Sequence, residues 1–288
     1  MILDGKKIAE EIKADIAARV DAIVAAGHRP PHLVAVLVGH DGGSESYVMS
    51  KAAACERCGF RSTVMRLDES ITQRDLLDKI LALNSADDVD GFIVQLPLPA
   101  HLNEREVLEA IDPRKDVDGF HPVNVGRLTL GLPCFKPATP LGITMLLERA
   151  GIDTRGKHCV ILGRSNIVGK PLAIMLLQKG RPGDCTVTVC HSATPDVAAE
   201  ARRADILVAA MGRPGSVTAD MVKPGAVVID VGTTRVPDAT RERGWRLRGD
   251  VDFDNVAPLC SHITPVPGGV GPMTIAALMY NTLQAYSV

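Results

Sequence analysis

The chain is expected to be an α/β protein made of two parallel-sheet units, and three features of the sequence point to this. Short apolar runs such as "HLVAVLVG" alternate with helical stretches; the series restarts after "KPATP"; and the second series contains a glycine-bearing strand-to-helix turn, "VILGRSNIVGKPLA". Runs that are apolar throughout suit strands covered on both faces, and strand–helix–strand repeats favour parallel pairing with right-handed crossovers.

Each element can be justified in turn. "LDGKKIAEEIKADIAARVDAIVAAG" has helical apolar spacing through Ile8, Ile12, Ile16, Val20 and Val24 and stops at Gly27. "HLVAVLVG" is the first strand, and the helix of "SYVMSKAAACERCGF" follows it, ending at Gly59. A strand over 63–67, a helix over 72–84, a strand over 91–96 and a short helix over 103–110 complete a βαβαβ series. In the second series "PLGITMLLERAG" is a helix, "KHCVILG" a strand, and "GKPLAIMLLQKG" a helix with Pro171 in its first turn, where proline is tolerated. "CTVTVCH", "DILVAAMG" and "AVVIDVG" are further strands, and "GPMTIAALMYNTLQAY" is a closing helix.

Composition narrows the function. With 288 residues, 46% of them hydrophobic and 23% charged, the chain has material for two globular domains. A formal charge of -2 supplies no basic field for nucleic acid or an anionic membrane. No apolar run reaches the roughly 18–20 residues of a membrane span, and no charged-then-apolar leader opens the chain, so a cytoplasmic enzyme is expected. Seven cysteines, an odd number, suit reduced thiols. Cys55 and Cys58 form a CxxC within one helix with no second pair at metal spacing, so they read as buried small hydrophobes and no metal site is expected.

Ligands of open α/β sheets collect at the carboxyl ends of the strands. Gly163, Ser165 and Gly169 occupy such an end, where glycines let backbone approach a pyrophosphate and a helix start offers free N–H groups; a ligand-free turn is the plainer alternative. The next strand ends in Cys190, His191 and Ser192, without the carboxylate that usually holds the ribose of NAD. Ser192 as donor and Arg164 as ion-pair partner favour the 2′-phosphate of NADP, with His191 a structural histidine. In the first series, Tyr47 and Lys51 lie one helical turn apart at a strand's carboxyl end, and no carboxylate flanks Lys51 at helical spacing. Gln95 interrupts an apolar strand just before Pro97 and Pro99, and Asp118 stands in the turn of "DPRKDVDGFHP"; alone, the first reads as a strand cap and the second as an Asx turn.

Together these stretches resemble the bifunctional methylenetetrahydrofolate dehydrogenase/methenyltetrahydrofolate cyclohydrolase family. "SESYVMSKAAAC", "GFIVQLPLP", "DPRKDVDGFHPVNVGRL", "PATPLGI", "GRSNIVGKP" and "ITPVPGGVGPMT" appear in the family's order over nearly the whole chain. The resemblance implies two α/β domains flanking a cleft: a folate-binding catalytic domain of residues 1–138 plus 266–288, and a Rossmann-like NADP-binding domain of residues 139–265. It implies that Lys51 is the acid/base group of the cyclohydrolase step, Tyr47 its neighbour beside the folate, Gln95 its hydrogen-bond partner, and Asp118 the holder of the pterin ring. Leu96, Pro267, Gly268 and Gly269 fall at substrate positions, and Gly163, Arg164, Ser165, Ser192, Thr233, Gly271 and Thr274 at cofactor positions. A cytoplasmic homodimer serving purine biosynthesis is implied as well.

Two departures bear on these expectations. Members often read "NPAS" where this chain has "DGGS" (Asp41–Ser44), which predicts a looser loop before Tyr47. Ala193 stands where the family usually carries a basic residue, so phosphate recognition falls to Arg164 and Ser192. The chemistry then explains the lysine. Hydride transfer from 5,10-methylenetetrahydrofolate asks mainly for positioning, whereas hydrolysis of the methenyl product needs proton transfers, and burial away from carboxylates is the setting in which a lysine becomes a usable base. The rivals are a dehydrogenase lacking the cyclohydrolase step and a non-catalytic folate- or nucleotide-binding protein.

Overall fold

The computed structural model describes residues 1–39 and 42–286. The first series comprises α1 (Gly5–Ala25), β1 (His32–Val38), α2 (Gly42–Arg57), β2 (Arg61–Leu67), α3 (Gln73–Ser85), β3 (Gly91–Val94), α4 (Glu104–Glu109) and α5 (Pro122–Thr129). The second comprises α6 (Ala138–Arg149), β4 (His158–Leu162), α7 (Gly169–Leu177), β5 (Thr186–Cys190), α8 (Val197–Ala201), β6 (Ile206–Ala209) and β7 (Val227–Asp230). It continues through β8 (Thr234–Pro237), β9 (Trp245–Arg248), α9 (Phe253–Val256), β10 (His262–Ile263) and α10 (Val270–Tyr286).

Two compact units result, one of Glu10–Ala138 with Ile275–Val288, the other of Met1–Ala9 with Thr139–Thr274. The first unit holds a parallel sheet in the order β2-β1-β3, and every residue of β1 is buried, as its unbroken apolar run requires. The second holds a parallel sheet in the order β10-β7-β6-β4-β5, a doubly wound arrangement, and the antiparallel hairpin β8–β9. The division differs from the expected one at both ends. Residues 1–9 join the second unit because Ile2 bridges Ile263, Leu3 N–H donates to Ile263 O at 2.8 Å and Lys6 N–H donates to Gly268 O at 2.9 Å. The same contacts keep 266–274 there.

Helix α2 begins at Gly42, so the glycines expected in a loose loop belong to its first turn. Asp41 lies outside the described residues. Cys55 lies in α2 and Cys58 in the turn just after it, not both within the helix as expected; both are fully buried, and burial pushes their thiols up to about 12 and about 11, the behaviour of inert packing groups. No helix among the described residues is long and apolar enough to cross a membrane.

The two sheets start in the same way. His32 and His158 open β1 and β4; each takes a carboxylate on its backbone N–H (Asp90 at 2.7 Å, Asp205 at 2.9 Å) and sets Nε2 2.9 Å from a threonine hydroxyl, Thr63 or Thr188. Each Nδ1 faces a backbone carbonyl, that of Asp88 at 2.8 Å or Arg203 at 3.3 Å. Facing a carbonyl with Nδ1, His32 carries its proton there and accepts from Thr63, which is the neutral imidazole. Burial lowers its pKa, so the unfolded chain binds a proton more readily than the folded one. The stability His32 contributes is therefore full above the free-imidazole value of about 6.5 and is lost as pH falls through it. Urea midpoints at pH 7.5 and 5.5 should drop further for the wild type than for His32→Gln. Equal drops would mean that His32 is not held neutral.

Candidate active site

In the first unit the carboxyl ends of β1 and β3 gather the polar residues. Lys51, on the third turn of α2, is only 9% exposed and donates from Nζ to Gln95 Oε1 at 3.1 Å. Gln95 follows β3 directly, and its backbone N–H extends the ladder to Val36 O at 2.9 Å. Its side-chain amide donates to Leu96 O at 2.8 Å, which uses the NH₂ end and turns the carbonyl end toward Lys51. Gln95 is thus held as an acceptor. Tyr47 sits one turn before Lys51 and is 45% exposed, a surface position beside a buried amine.

Asp118 arrives from the next segment. Asp116 bridges Phe92 in parallel, and Phe92 N–H donates to Lys115 O at 3.0 Å, so residues 115–116 continue the sheet beyond β3. The side chain of Asp116, not that of Asp118, folds the following turn, accepting from Phe120 N–H at 3.2 Å and His121 N–H at 2.8 Å. Gly119 has φ +73, and a Cβ there would lie 2.6 Å from the backbone of Lys136 and Pro137. Burial pushes the Asp118 carboxyl above the ordinary carboxylate value, and the charge of Lys51 pulls it back. That corrects one expectation. No carboxylate flanks Lys51 at helical spacing on α2, but the fold brings the charge of Lys51 to bear on Asp118 from a distant stretch of chain.

The second unit holds the remaining candidates. Gly163 ends β4 with φ +128; a Cβ there would lie 2.3 Å from Ala210 O, and one at Gly169 would lie 2.1 Å from Gly163 O. Only glycine fits this turn, which leaves a bare cradle of the kind a pyrophosphate needs. Ser165 Oγ accepts from Val168 N–H at 3.1 Å and Gly169 N–H at 3.3 Å, capping α7 and keeping its own hydrogen free to donate. Arg164 and Ser192 are exposed at neighbouring strand ends, as is Thr233 after β7. His191 Nδ1 accepts from Ala193 N–H at 3.2 Å. Pro267, Gly268 and Gly269 lie in this unit with Gly271 and Thr274, and Thr274 Oγ1 stands 3.0 Å from Thr139 Oγ1.

The sequence reading missed a buried carboxylate pair at the same sheet end. Asp230 accepts from Gly232, Asp250 and Val251 N–H at 2.9–3.0 Å, and Asp250 accepts from Met211 N–H at 2.6 Å and Gly212 N–H at 2.9 Å. These bonds tie the turns after β6, β7 and β9 together. The signal was an acid closing the apolar run of "AVVIDVG".

A doubly wound sheet with a glycine cradle, in one chain with a unit that buries a lysine against a glutamine, is the architecture of a nucleotide-binding protein. Residues 137–288 match the NAD(P)-binding domain, and residues 3–118 the catalytic domain, of tetrahydrofolate dehydrogenase/cyclohydrolase; the chain belongs to that family. It is 63% identical over 284 residues to the bifunctional protein FolD of Porphyromonas gingivalis, covering 99% of this chain and 96% of that one. It resembles the crystal structure of the bifunctional FolD dehydrogenase/cyclohydrolase of Campylobacter jejuni at TM-score 0.93 and 47% identity, covering 100% of this chain and 98% of that one. The Trypanosoma brucei dehydrogenase-cyclohydrolase, solved with NADP cofactor and inhibitor, matches at TM-score 0.94 and 39% identity, covering 100% of this chain and 97% of that one.

The electrostatics of the first unit can be checked directly. If the Lys51 charge holds the Asp118 carboxyl down against burial, Lys51→Met should raise the midpoint at which the Asp118 carboxyl carbon titrates in a ¹³C spectrum. An unchanged or lower midpoint would show that the two groups do not sense each other.

Proposed function

We propose that the chain carries out two successive reactions of one-carbon folate metabolism: NADP-dependent oxidation of 5,10-methylenetetrahydrofolate to the methenyl form, and hydrolysis of that product to 10-formyltetrahydrofolate. The observation that carries this reading is the buried Lys51 amine fixed on the carbonyl end of Gln95, in a member of the dehydrogenase/cyclohydrolase family. A dehydrogenase without the second step would have no use for a buried, oriented amine.

Bound at the glycine cradle, NADP supplies the hydride acceptor. Arg164 and Ser192 suit its 2′-phosphate, and the glycine backbone at 163 and 169 suits its pyrophosphate. Thr233, Gly271 and Thr274 are assigned to the cofactor with them. Leu96, Pro267, Gly268 and Gly269, with Tyr47, are assigned to the folate, and Asp118 to its pterin ring. In the hydrolytic step, water adds to the methenyl carbon and gives a proton to the Lys51 amine. As the bond from that carbon to N5 breaks, the remaining hydroxyl becomes the formyl carbonyl and N5 takes a proton back. One proton is released overall. The carbonyl of Gln95 keeps the amine in place for both transfers, and the Asp118 carboxyl adds negative charge near the cationic substrate.

Family membership further supports a cytoplasmic homodimer whose product serves purine biosynthesis, and the near-neutral charge gives no reason to expect nucleic acid or membrane as a partner.

Lys51→Met tests the assignment, because methionine keeps the length of the stem and is a good helix former. Losing a positioned acid/base group should slow hydrolysis about 10²–10⁴-fold, while hydride transfer falls far less and methenyltetrahydrofolate accumulates in stopped-flow absorbance. A folded variant that hydrolyses at the wild-type rate would remove Lys51 from the acid/base role. Equal loss of both activities would leave it only a substrate-holding one.

A further inference from the structure

Asp116 is the buried acid of the first unit that the chemistry above does not use. It is 2% exposed, and besides the Phe120 and His121 amides its carboxylate accepts from Asn124 Nδ2 at 2.8 Å. Asn124 is itself buried and gives its other amide hydrogen to Pro113 O at 3.0 Å, so it cannot turn away. From α10, Asn281 Nδ2 donates to Val117 O at 2.8 Å and to Lys136 O at 2.9 Å. Gly119 packs its bare Cα against the same Lys136–Pro137 backbone. The turn is therefore held on every side, with Asp118 at its tip. Three N–H donors normally keep a carboxyl ionised. Here burial outweighs them and pushes Asp116 up to about 6, with the neighbouring Asp118 charge adding to the rise. Its charged form depends on those donors being in place.

We propose that Asp116 is a positioning residue for the folate reactions, fixing Asp118 relative to Lys51 and so fixing the ring that Asp118 binds. The inference rests on the folate reading given above. Its test is a set of steady-state measurements, KM and kcat of both reactions, on Asp118→Asn, Asp116→Asn and Asn124→Ala. Circular dichroism monitors folding. Asp116→Asn turns an NH₂ group toward at least one of the three N–H donors and should raise the KM for folate about ten-fold or more in both reactions, leaving the KM for NADP near wild type. A general packing defect would instead disturb the KM for both ligands. Should Asp116→Asn not fold, Asn124→Ala removes a single donor and should raise the folate KM by less.

A folded Asp116→Asn or Asn124→Ala with wild-type folate KM overturns the inference, and so does an equal rise in the KM for NADP. Asp118→Asn separates the two layers of argument. If it leaves folate KM unchanged, the folate reading fails. If it raises folate KM and Asp116→Asn does not, only the positioning role fails.

Discussion

The first unit is organised around a hydrogen bond between Lys51 Nζ and Gln95 Oε1, 3.1 Å long and spanning 44 residues of chain. Leaving an amine unpaired inside a protein costs several kcal/mol, on the order of the effective penalty for burying an ion, and Gln95 offsets that cost without adding a charge. The bond exists because β1 and β3 are adjacent in a parallel sheet, so the helix after one strand and the residue after the other meet at the same edge. The bond from Gln95 to Leu96 O settles which end of the amide faces the lysine. A free glutamine could present either end, and only one supports an amine donor.

Around that bond the unit arranges two acids with opposite tasks. Asp116 is surrounded by donors and shapes backbone; Asp118 feels burial and the lysine charge. The second unit repeats the design principle with Asp230 and Asp250, whose carboxylates stitch turns at the carboxyl edge of the strands, where open α/β sheets gather ligands. In both units, acids at the sheet edge convert irregular loops into fixed ones. Both sheets are also started by the same histidine–threonine–aspartate arrangement, at His32 and at His158.

Much of this was legible in the sequence, for physical reasons. Strands β1 and β4 to β7 are short apolar runs bounded by glycine or charge, and helices α1 and α3 carry their buried faces at helical spacing. Gly163 and Gly169 were recognisable because only glycine tolerates such close backbone contact. The hairpin β8–β9 was not found, since its strands are only four residues each and dense in arginine. Helix α5 was missed because Gly126 interrupts its period. The approach of Asp118 to Lys51 depends on residues 115–116 extending the sheet past β3, a long-range register that helical spacing around Lys51 cannot reveal. The turn-forming role that Asp118, read alone, could have filled belongs to Asp116.

The central claim is that Lys51 is held by a neutral acceptor, and Gln95→Glu probes it with little change of shape. A carboxylate at that distance favours the ammonium form of the lysine, so the pH profile of kcat for methenyltetrahydrofolate hydrolysis should move to higher pH, with a marked loss at pH 7 and recovery as the pH is raised. A folded Gln95→Glu enzyme whose profile coincides with the wild type would contradict the account.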